Sequence, residues 1–255
     1  MKIISLNTWG GKLFAPLLRF IKSQSSTVDI FCFQEVFSSP TKKNISRSMR
    51  ANLYEELTKS LPNFKGYFAP SYKKSDTKDP VDFPISHGLS VFVRKSYKVD
   101  SYGNVFIYGN LETWLKTQNL KRLPRNLLYI TLIHKDKRYL ISHFHGIWYP
   151  KTKKDTKDRL HQSEKIKSFL NTHEGPRILC GDFNLLPNTK SMAILDKGMK
   201  NLIKEFDIKT TRNSLYRRKE KYADYMLVSK DIEVVDFKVI DSDISDHLPL
   251  ILTVK

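Results

Sequence analysis

The chain of 255 residues is long enough for one sizeable core and short for two full domains, so we expect a single domain over residues 1–255. Hydrophobic residues make up 40% and charged residues 27%, which is ordinary for a soluble globular protein. The 44 Lys and Arg outnumber the 26 Asp and Glu, and the formal net charge is +18. Such an excess attracts polyanions. The alternative is that the positive charge only maintains solubility.

The sequence carries no pattern typical of export or of a membrane span. The stretch MKIISLNTWGGK offers too short an apolar run before Asn7 for a signal peptide. No apolar run approaches the roughly 18 residues that a membrane span needs. Cys32 and Cys180 each lie in an apolar run, as buried cysteines do, and they suggest neither a disulfide framework nor a zinc site. We therefore expect a cytoplasmic protein.

Strands and helices alternate in the first part of the chain. The β-branched run 2–9 predicts a buried strand, residues 13–24 have apolar side chains at helical spacing, and residues 28–35 predict a second strand. Residues 46–61 predict a helix that Pro62 ends.

Strands dominate the rest of the chain, with one further helix over residues 158–173. The predicted strands are 88–95, 126–135, 138–145, 177–183, 222–229 and 249–255, and the run IEVVDFKVI lies between the last two. The polar segments 70–82 and 147–162 predict long loops, which are often functional. This mixed order favours two packed sheets with helices outside.

Polar residues stand at five places where a predicted strand ends. They are Asn7 in SLNTWG, Gln34 and Glu35 in CFQEV, His143 and His145 in SHFHG, Asp182 and Asn184 in GDFN, and Asp246 and His247 in SDH. Asp224 adds an acid within a strand. Each residue alone has an ordinary explanation, since Asn and Asp form turns and acids cap helices. Together they suit a single catalytic site.

The residue types indicate which chemistry that site performs. Oxygen ligands of the kind that Mg²⁺ or Mn²⁺ prefers come from Asn7, Glu35, Asp182 and Asp246. His145 and His247 donate hydrogen bonds to a phosphate or move protons near neutral pH, and Asp224 is placed to orient one of them. These groups are the ones that metal-assisted hydrolysis of a phosphate ester requires.

The order of the motifs resembles the endonuclease/exonuclease/phosphatase superfamily, the DNase I-like metal-dependent phosphoesterases. Along the chain, Asn7 is followed by QE, by a histidine after a middle strand, by GDFN, by an acid before Tyr225 and by a terminal SDH ending at His247. The resemblance implies an α/β fold: a four-layer α/β/β/α sandwich of two packed mixed sheets flanked by helices, with the site at one end of the sheets.

The resemblance also implies individual roles. The metal would be held by Asn7, Glu35 and Asp246. Asp182 would align or deprotonate the attacking water, and Asn184 would position that water or contact the phosphate. His247 would bind a phosphate oxygen and stabilise the transition state, with Asp224 as its orienting partner.

The family's second histidine has two candidates here. His143 and His145 fall on the same face of an extended strand. His145 is preferred, because it lies nearer the strand end and precedes Gly146, where backbone can approach a ligand closely. His87 is interpreted as a polar residue at a strand start rather than as a catalytic group.

The basic loops favour nucleic acid as the substrate, for a nuclease or a DNA-end-processing enzyme. Residues 147–162 carry five Lys or Arg against two Asp, residues 114–138 carry seven against one, and residues 212–221 carry five against one Glu, each with aromatic residues. Such loops suit a phosphate backbone and stacked bases. The residues expected to contact substrate are His143, Trp148, Lys151, Lys153, Lys154 and Arg159.

Two other functions stay open. Basic residues also suit a lipid head group or a sugar or inositol phosphate, although the sequence shows neither an export signal nor an apolar hairpin for a membrane. A non-catalytic nucleic-acid-binding relative is the other alternative, and the complete set of site residues argues against it. A monomer is favoured.

Overall fold

The computed structural model describes residues 1–255, apart from the side chain of Arg47. The strands in the first half are β1 Lys2–Asn7, β2 Ile30–Ser38, β3 Asn44–Ile45, β4 Met49–Arg50, β5 Phe64–Lys73, β6 Ser86–Arg94 and β7 Val99–Tyr108. Those in the second half are β8 Arg125–His134, β9 Lys137–His145, β10 Arg177–Asp182, β11 Met199–Asn201, β12 Asp224–Ser229, β13 Val234–Val239 and β14 Leu250–Val254. The helices are α1 Phe14–Gln24, α2 Leu53–Ser60, α3 Leu111–Thr117, α4 Lys157–Leu170, α5 Lys190–Asp196 and α6 Leu202–Glu205.

Two six-stranded sheets form the centre of the molecule. The first has the order β13-β14-β1-β2-β6-β5 and the second the order β11-β12-β10-β9-β8-β7. Each contains one parallel pair, β1–β2 or β9–β10, and its other neighbours are antiparallel. The crossover between the strands of each parallel pair contains a helix, α1 in the first sheet and α4 in the second. Both sheets are therefore mixed, as the resemblance implies.

Helices cover the outer face of each sheet, and the sheets pack against each other. Leu17 and Ile21 of α1 and Leu57 of α2 pack with Ile4 and Phe31 of the first sheet. Helices α4 and α5 bury the side chains Ile166, Leu170, Met192 and Leu195 in the core that includes the second sheet. The expected four-layer α/β/β/α sandwich is confirmed. Within the described residues, no helix combines the length and the apolar character needed to cross a membrane.

The elements that sequence patterns missed lie mainly at sheet edges. Strand β5 and strand β7 each end a sheet, and the predicted loop 70–82 continues β5 as far as Lys73. Pro70 argues against a central strand, but an edge strand tolerates it because one side makes no ladder hydrogen bonds. The helix predicted from residue 46 begins only at Leu53, after a 3₁₀ turn and the short β3–β4 pair.

The ends of β9 and β10 approach each other closely at Gly146. The backbone N–H of Gly146 donates to the carbonyl oxygen of Asp182 at 2.7 Å. A β-carbon at Gly146 would overlap the carbonyl oxygen of Phe183. This glycine is therefore required by the close approach of the Phe183 backbone, whereas the sequence suggests the close approach of a ligand.

Replacing Gly146 by Ala is expected to separate the two strand ends and to destabilise the protein by about 1–3 kcal/mol. Activity should fall too, because His145 precedes the displaced residue. Gly198→Ala is the control: its backbone φ is +77° but its β-carbon would meet open space, so it should cost about 1 kcal/mol and preserve turnover. Melting temperatures and turnover measure both effects. Normal stability and activity in Gly146→Ala would contradict this account.

Candidate active site

Three polar side chains form one row across the second sheet. The pairing of β9, β10 and β12 sets Asp182 opposite both His145 and Asp224. Residues at matched positions of paired strands point to the same face. His145 Nε2 lies 3.5 Å from Asp182 Oδ2, so strand register alone brings these two groups together.

The first sheet contributes a residue held in a rare backbone conformation. Glu35 has φ = 56°, and the pairing of β2 with β6 shifts register between Phe33 and Val36. A bulge of this kind redirects a side chain that regular alternation would send elsewhere. Here it places Glu35 Oε1 3.1 Å from Asn7 Nδ2 and 3.9 Å from His145 Nε2.

The segment before β14 supplies the remaining two groups. Ser245 Oγ donates to the carbonyl oxygen of Asn7 at 2.7 Å and accepts the N–H of His247 at 3.2 Å. The Nδ1–H of His247 donates to both carboxylate oxygens of Asp224 at 2.8 Å, and its Nε2 lies 3.6 Å from Asp182 Oδ2. Asp224 thereby fixes the imidazole orientation.

The site gives its two histidines opposite charge states. Burial and Arg125 hold the pKa of His145 well below its ordinary value, so this imidazole is neutral. Burial and Arg212 also oppose the charged form of His247, but the carboxylates around it, first Asp224 and then Asp182, raise its pKa above the ordinary value. The charged form of His247 is therefore favoured, which suits this histidine as a hydrogen-bond donor to an anion.

Asp182 stays ionised although it is buried. Burial works to raise its pKa, but His247 and the other surrounding cations hold it below its usual range. Its Oδ1 accepts the backbone N–H of Asn184, whose own φ is 53°. A fixed, charged carboxylate beside a cationic imidazole is an arrangement that can bind water and an anion together.

These groups open into a cavity of about 370 Å³. Its aromatic rings are Trp9, Tyr72, Trp148 and Tyr216, and its cationic side chains are Lys12, Arg125, Lys151, Lys153, Arg212 and Arg218. Glu35, His145, Asp182, Asn184, Asp246 and His247 also line it. The predicted catalytic and metal-ligating residues other than Asn7 and Asp224 thus share one space with three of the predicted substrate contacts, Trp148, Lys151 and Lys153.

Three predicted substrate contacts lie elsewhere. Arg159 is fully buried, and its guanidinium donates to the carbonyl oxygens of Ile147, Lys154 and Pro150, so it fastens the loop after β9. His143 is 1% exposed and bonds Gln34 between the sheets at 3.1 Å. Its pKa is lowered to about 3 by burial.

Lys154 is the third departure. Its side chain is exposed, and it is absent from the described residues that line the cavity. Lys153 is buried and lines the cavity, so one loop sends Lys153 inward and Lys154 to solvent. Basic composition identified the loop but not which of its lysines face the cavity.

Sequence patterns also missed cavity residues. Arg125 follows Pro124 at the start of β8, inside the basic segment already noted, and Arg212 opens another such segment. His87 was interpreted as structural, yet it lines the cavity, where its ring stacks on Tyr72 with centroids 4.5 Å apart. Burial lowers the pKa of His87 to about 3, so it is neutral there.

A family model described as the Endonuclease/Exonuclease/phosphatase family matches residues 4–247, nearly the whole chain. The chain belongs to the endonuclease/exonuclease/phosphatase family. It is therefore an enzyme of the phosphoric ester hydrolase class. The resemblance inferred from Asn7, QE, GDFN and SDH is confirmed.

Solved structures of this family share the fold. A family protein from Leptotrichia buccalis is 16% identical with a TM-score of 0.74, covering 100% of this chain and 99% of that one. A mannosyl-6-phosphatase from Bacteroides thetaiotaomicron is 18% identical (TM-score 0.68; 100% and 99%). TDP2 from D. rerio, complexed with a single-strand DNA product, is 16% identical (TM-score 0.67; 100% and 98%). Among curated protein sequences, no significant match was found.

The cluster has the composition of a divalent-cation site, as in the endonuclease/exonuclease/phosphatase family generally. Ligand atoms of Glu35, His145 and Asp182 lie within 4.8 Å of one another. Asp246 Oδ1 is buried and has no hydrogen-bond partner among the described residues. Burial raises the pKa of Glu35, and nearby Asp246 and Asp182 add to that rise. A cation would relieve the mutual repulsion of these carboxylates.

Asn7 contacts two of these carboxylates. Its Nδ2 donates to Glu35 and to Asp182 Oδ2, both at 3.1 Å, while its Oδ1 accepts the N–H of Trp9. In this arrangement Asn7 holds two carboxylates together. The ligand atoms that lie close enough together to share a cation belong to Glu35, His145 and Asp182, and the unpartnered Oδ1 of Asp246 is a further carboxylate oxygen in the same cavity.

Glu35→Gln tests the cation site through stability alone. Because burial raises the folded-state pKa of Glu35, its ionisation costs stability as pH rises through that pKa, and Gln removes this cost. Without divalent cation the variant should melt at or above the wild-type temperature.

Saturating Mg²⁺ or Mn²⁺ should stabilise the wild type, by about 2.7 kcal/mol at 100 times Kd, and should stabilise Glu35→Gln far less. Glu205→Gln, an exposed control, should keep the full metal response. An undiminished response in Glu35→Gln would place the metal elsewhere.

Proposed function

We propose that this enzyme hydrolyses phosphate esters in nucleic acid with the aid of Mg²⁺ or Mn²⁺. One observation carries the proposal: the carboxylate–histidine cluster opens into a cavity whose walls combine cations with aromatic rings. Cations bind the phosphates of a polynucleotide, and rings stack on its bases. The cluster provides the reacting groups at the base of that cavity.

The residues divide the chemistry between them. A phosphate that enters the cavity meets the Nε2–H of cationic His247, which donates to a phosphate oxygen and stabilises the charge that grows there in the transition state. Ionised Asp182 accepts a hydrogen bond from the attacking water and aims the water oxygen at phosphorus. Asn184 offers its side-chain amide beside the same water. Glu35 and Asp246 would hold a divalent cation, which would supply Lewis-acid polarisation of the phosphate.

Asp224 is proposed as a positioning residue. It bonds the Nδ1–H of His247 and raises the pKa of that histidine, and it does so from the strand beside Asp182. His145 lies against Glu35 and Asp182 as a neutral imidazole. We further propose that residues 1–255 act as one domain, because the cluster draws its members from Asn7 through to His247.

Two structural neighbours favour two kinds of substrate. TDP2 from D. rerio was crystallised with a single-strand DNA product, which supports nucleic acid. The mannosyl-6-phosphatase neighbour and the size of the cavity, about 370 Å³, favour a sugar phosphate as the second candidate, because pockets of this size enclose small ligands. Nucleic acid is the preferred candidate, because the cavity is lined by both cationic and aromatic side chains.

Asp182→Asn tests the assigned chemistry. The variant keeps the size of the side chain but removes the charge that orients the water, so the rate should fall by roughly 10²–10⁴-fold. Its melting temperature should fall modestly, because His247, Arg212 and Lys153 stabilise the ionised carboxylate in the folded state. Asp231→Asn, an exposed control, should turn over normally. A well-folded Asp182→Asn enzyme with near wild-type rate would sink the assignment.

A substrate panel tests the choice of substrate. It compares single- and double-stranded DNA, RNA, a 5′-tyrosyl oligonucleotide and mannose 6-phosphate, each with Mg²⁺, Mn²⁺ or EDTA. Nucleic acid should have the highest kcat/KM, and its KM should rise steeply with salt because phosphate contacts release counterions. Lys151→Gln, at the cavity, should raise that KM and flatten its salt slope, whereas exposed Lys137→Gln should not. Faster hydrolysis of the sugar phosphate would make the second candidate correct.

A further inference from the structure

Two buried cations stand beside the cluster and share one aromatic ring. Lys153 is 5% exposed and Arg212 is 9% exposed, although both line the cavity. Lys153 Nζ lies 5.3 Å from the centroid of the Tyr216 ring, and the Arg212 guanidinium carbon lies 4.2 Å from it. We call Lys153, Arg212 and Tyr216 the paired-cation wall.

Both cations have hydrogen-bond donors without a partner among the described residues. Lys153 Nζ donates to the carbonyl oxygen of Tyr222 at 3.0 Å, and an ammonium has three donors. Arg212 Nη1 donates to Asp246 Oδ2 at 3.0 Å, while its Nε is buried and has no partner among the described residues. Buried charges and donors are costly unless paired. The wall therefore suits an anion inside the cavity.

The wall adjoins the reacting groups. Arg212 forms an isolated β-bridge with His247, and the charges of both Arg212 and Lys153 contribute to the low pKa of Asp182. An anion bound at His247 Nε2 therefore lies against the wall as well. Arg159 fixes the loop that carries Lys153, because its guanidinium donates to the carbonyl oxygens of Ile147, Pro150 and Lys154.

We propose that the paired-cation wall recognises the second negative charge of a phosphate monoester, so that the reacting group is a terminal phosphate rather than an internal diester linkage. This deepens the proposed function and rests on it for the polynucleotide that carries the phosphate. At pH 7 a monoester has a charge of about −1.5 to −2 and three acceptor oxygens. A diester has one charge and would set an uncharged ester oxygen against the wall, so the remaining donors of Lys153 and the Nε–H of Arg212 would meet a weaker acceptor.

The reaction is a simple hydrolysis. The water oxygen bonds to phosphorus as the ester P–O bond breaks, the proton lost by the water passes to solvent while Asp182 orients that water, and the departing oxygen takes a proton from solvent to leave as an alcohol. The products are that alcohol and inorganic phosphate. Charge-assisted hydrogen bonds from the wall hold the terminal oxygens throughout.

Lys153→Gln is the decisive variant, with Lys157→Gln as a control that removes an exposed lysine nearby. The substrates are a 5′-phosphorylated oligonucleotide, scored for phosphate release and for internal cleavage, together with 4-nitrophenyl phosphate and bis(4-nitrophenyl) phosphate. Wild type should prefer the monoester of each pair. Lys153→Gln should lower kcat/KM for the monoester about 10–100-fold, mainly through KM, and change the diester less than threefold. Lys153→Arg, which keeps the charge, should restore the preference.

Binding measured without turnover makes the test independent of catalysis. Inorganic phosphate should raise the melting temperature of wild type, Lys153→Arg and Lys157→Gln more than dimethyl phosphate does, and Lys153→Gln should lose that difference. Equal losses for monoester and diester, or a wild-type preference for the diester, would overturn the proposal. Lys153-dependent hydrolysis of 4-nitrophenyl phosphate without any reaction on the oligonucleotide would uphold the wall and reject nucleic acid as the substrate.

Discussion

The side-chain amide of Asn7 makes the contact on which the arrangement of the site depends. Its Nδ2 lies 3.1 Å from Glu35 on its own sheet and 3.1 Å from Asp182 on the other. It thereby joins the two sheets at the end where the reacting groups gather. The backbone carbonyl oxygen of Asn7 accepts a hydrogen bond from Ser245 Oγ, which positions the segment carrying Asp246 and His247. Three distant parts of the chain are fixed relative to one another through this single residue.

Electrostatics follows from that geometry. Carboxylates brought together in a buried place repel one another, and the surrounding cations offset part of this repulsion. Asp224 and Asp182 favour the charged form of His247, whereas burial and the charge of Arg125 disfavour the charged form of His145. The same residue type thus performs two tasks, and neighbours on adjacent strands decide which. Cation binding, phosphate binding and water alignment all draw on this one balance of charge.

Sequence patterns predicted the central parts of the molecule better than its edges. The central strands are continuous apolar runs, which sequence patterns identify readily. The polar residues at the ends of these runs indicate both the family and the members of the cluster. Edge strand β5 was missed because its Pro70 and its half-polar pattern are unlike a core strand. Arg212 and Arg125 could not be selected from many basic residues, since burial against the cavity distinguishes them and composition does not. Arg159 is the opposite case. It was selected as a substrate contact because it is basic, but its side chain is buried and binds backbone carbonyl oxygens.

A crystal structure with Mn²⁺, read through its anomalous signal, tests the central claim most directly. The account predicts one strong peak among the carboxylates of Glu35, Asp182 and Asp246, with Arg212 released from its contact to Asp246 or retained beside it. A peak at any other group of residues, or an empty cluster at a Mn²⁺ concentration that supports turnover, would contradict it.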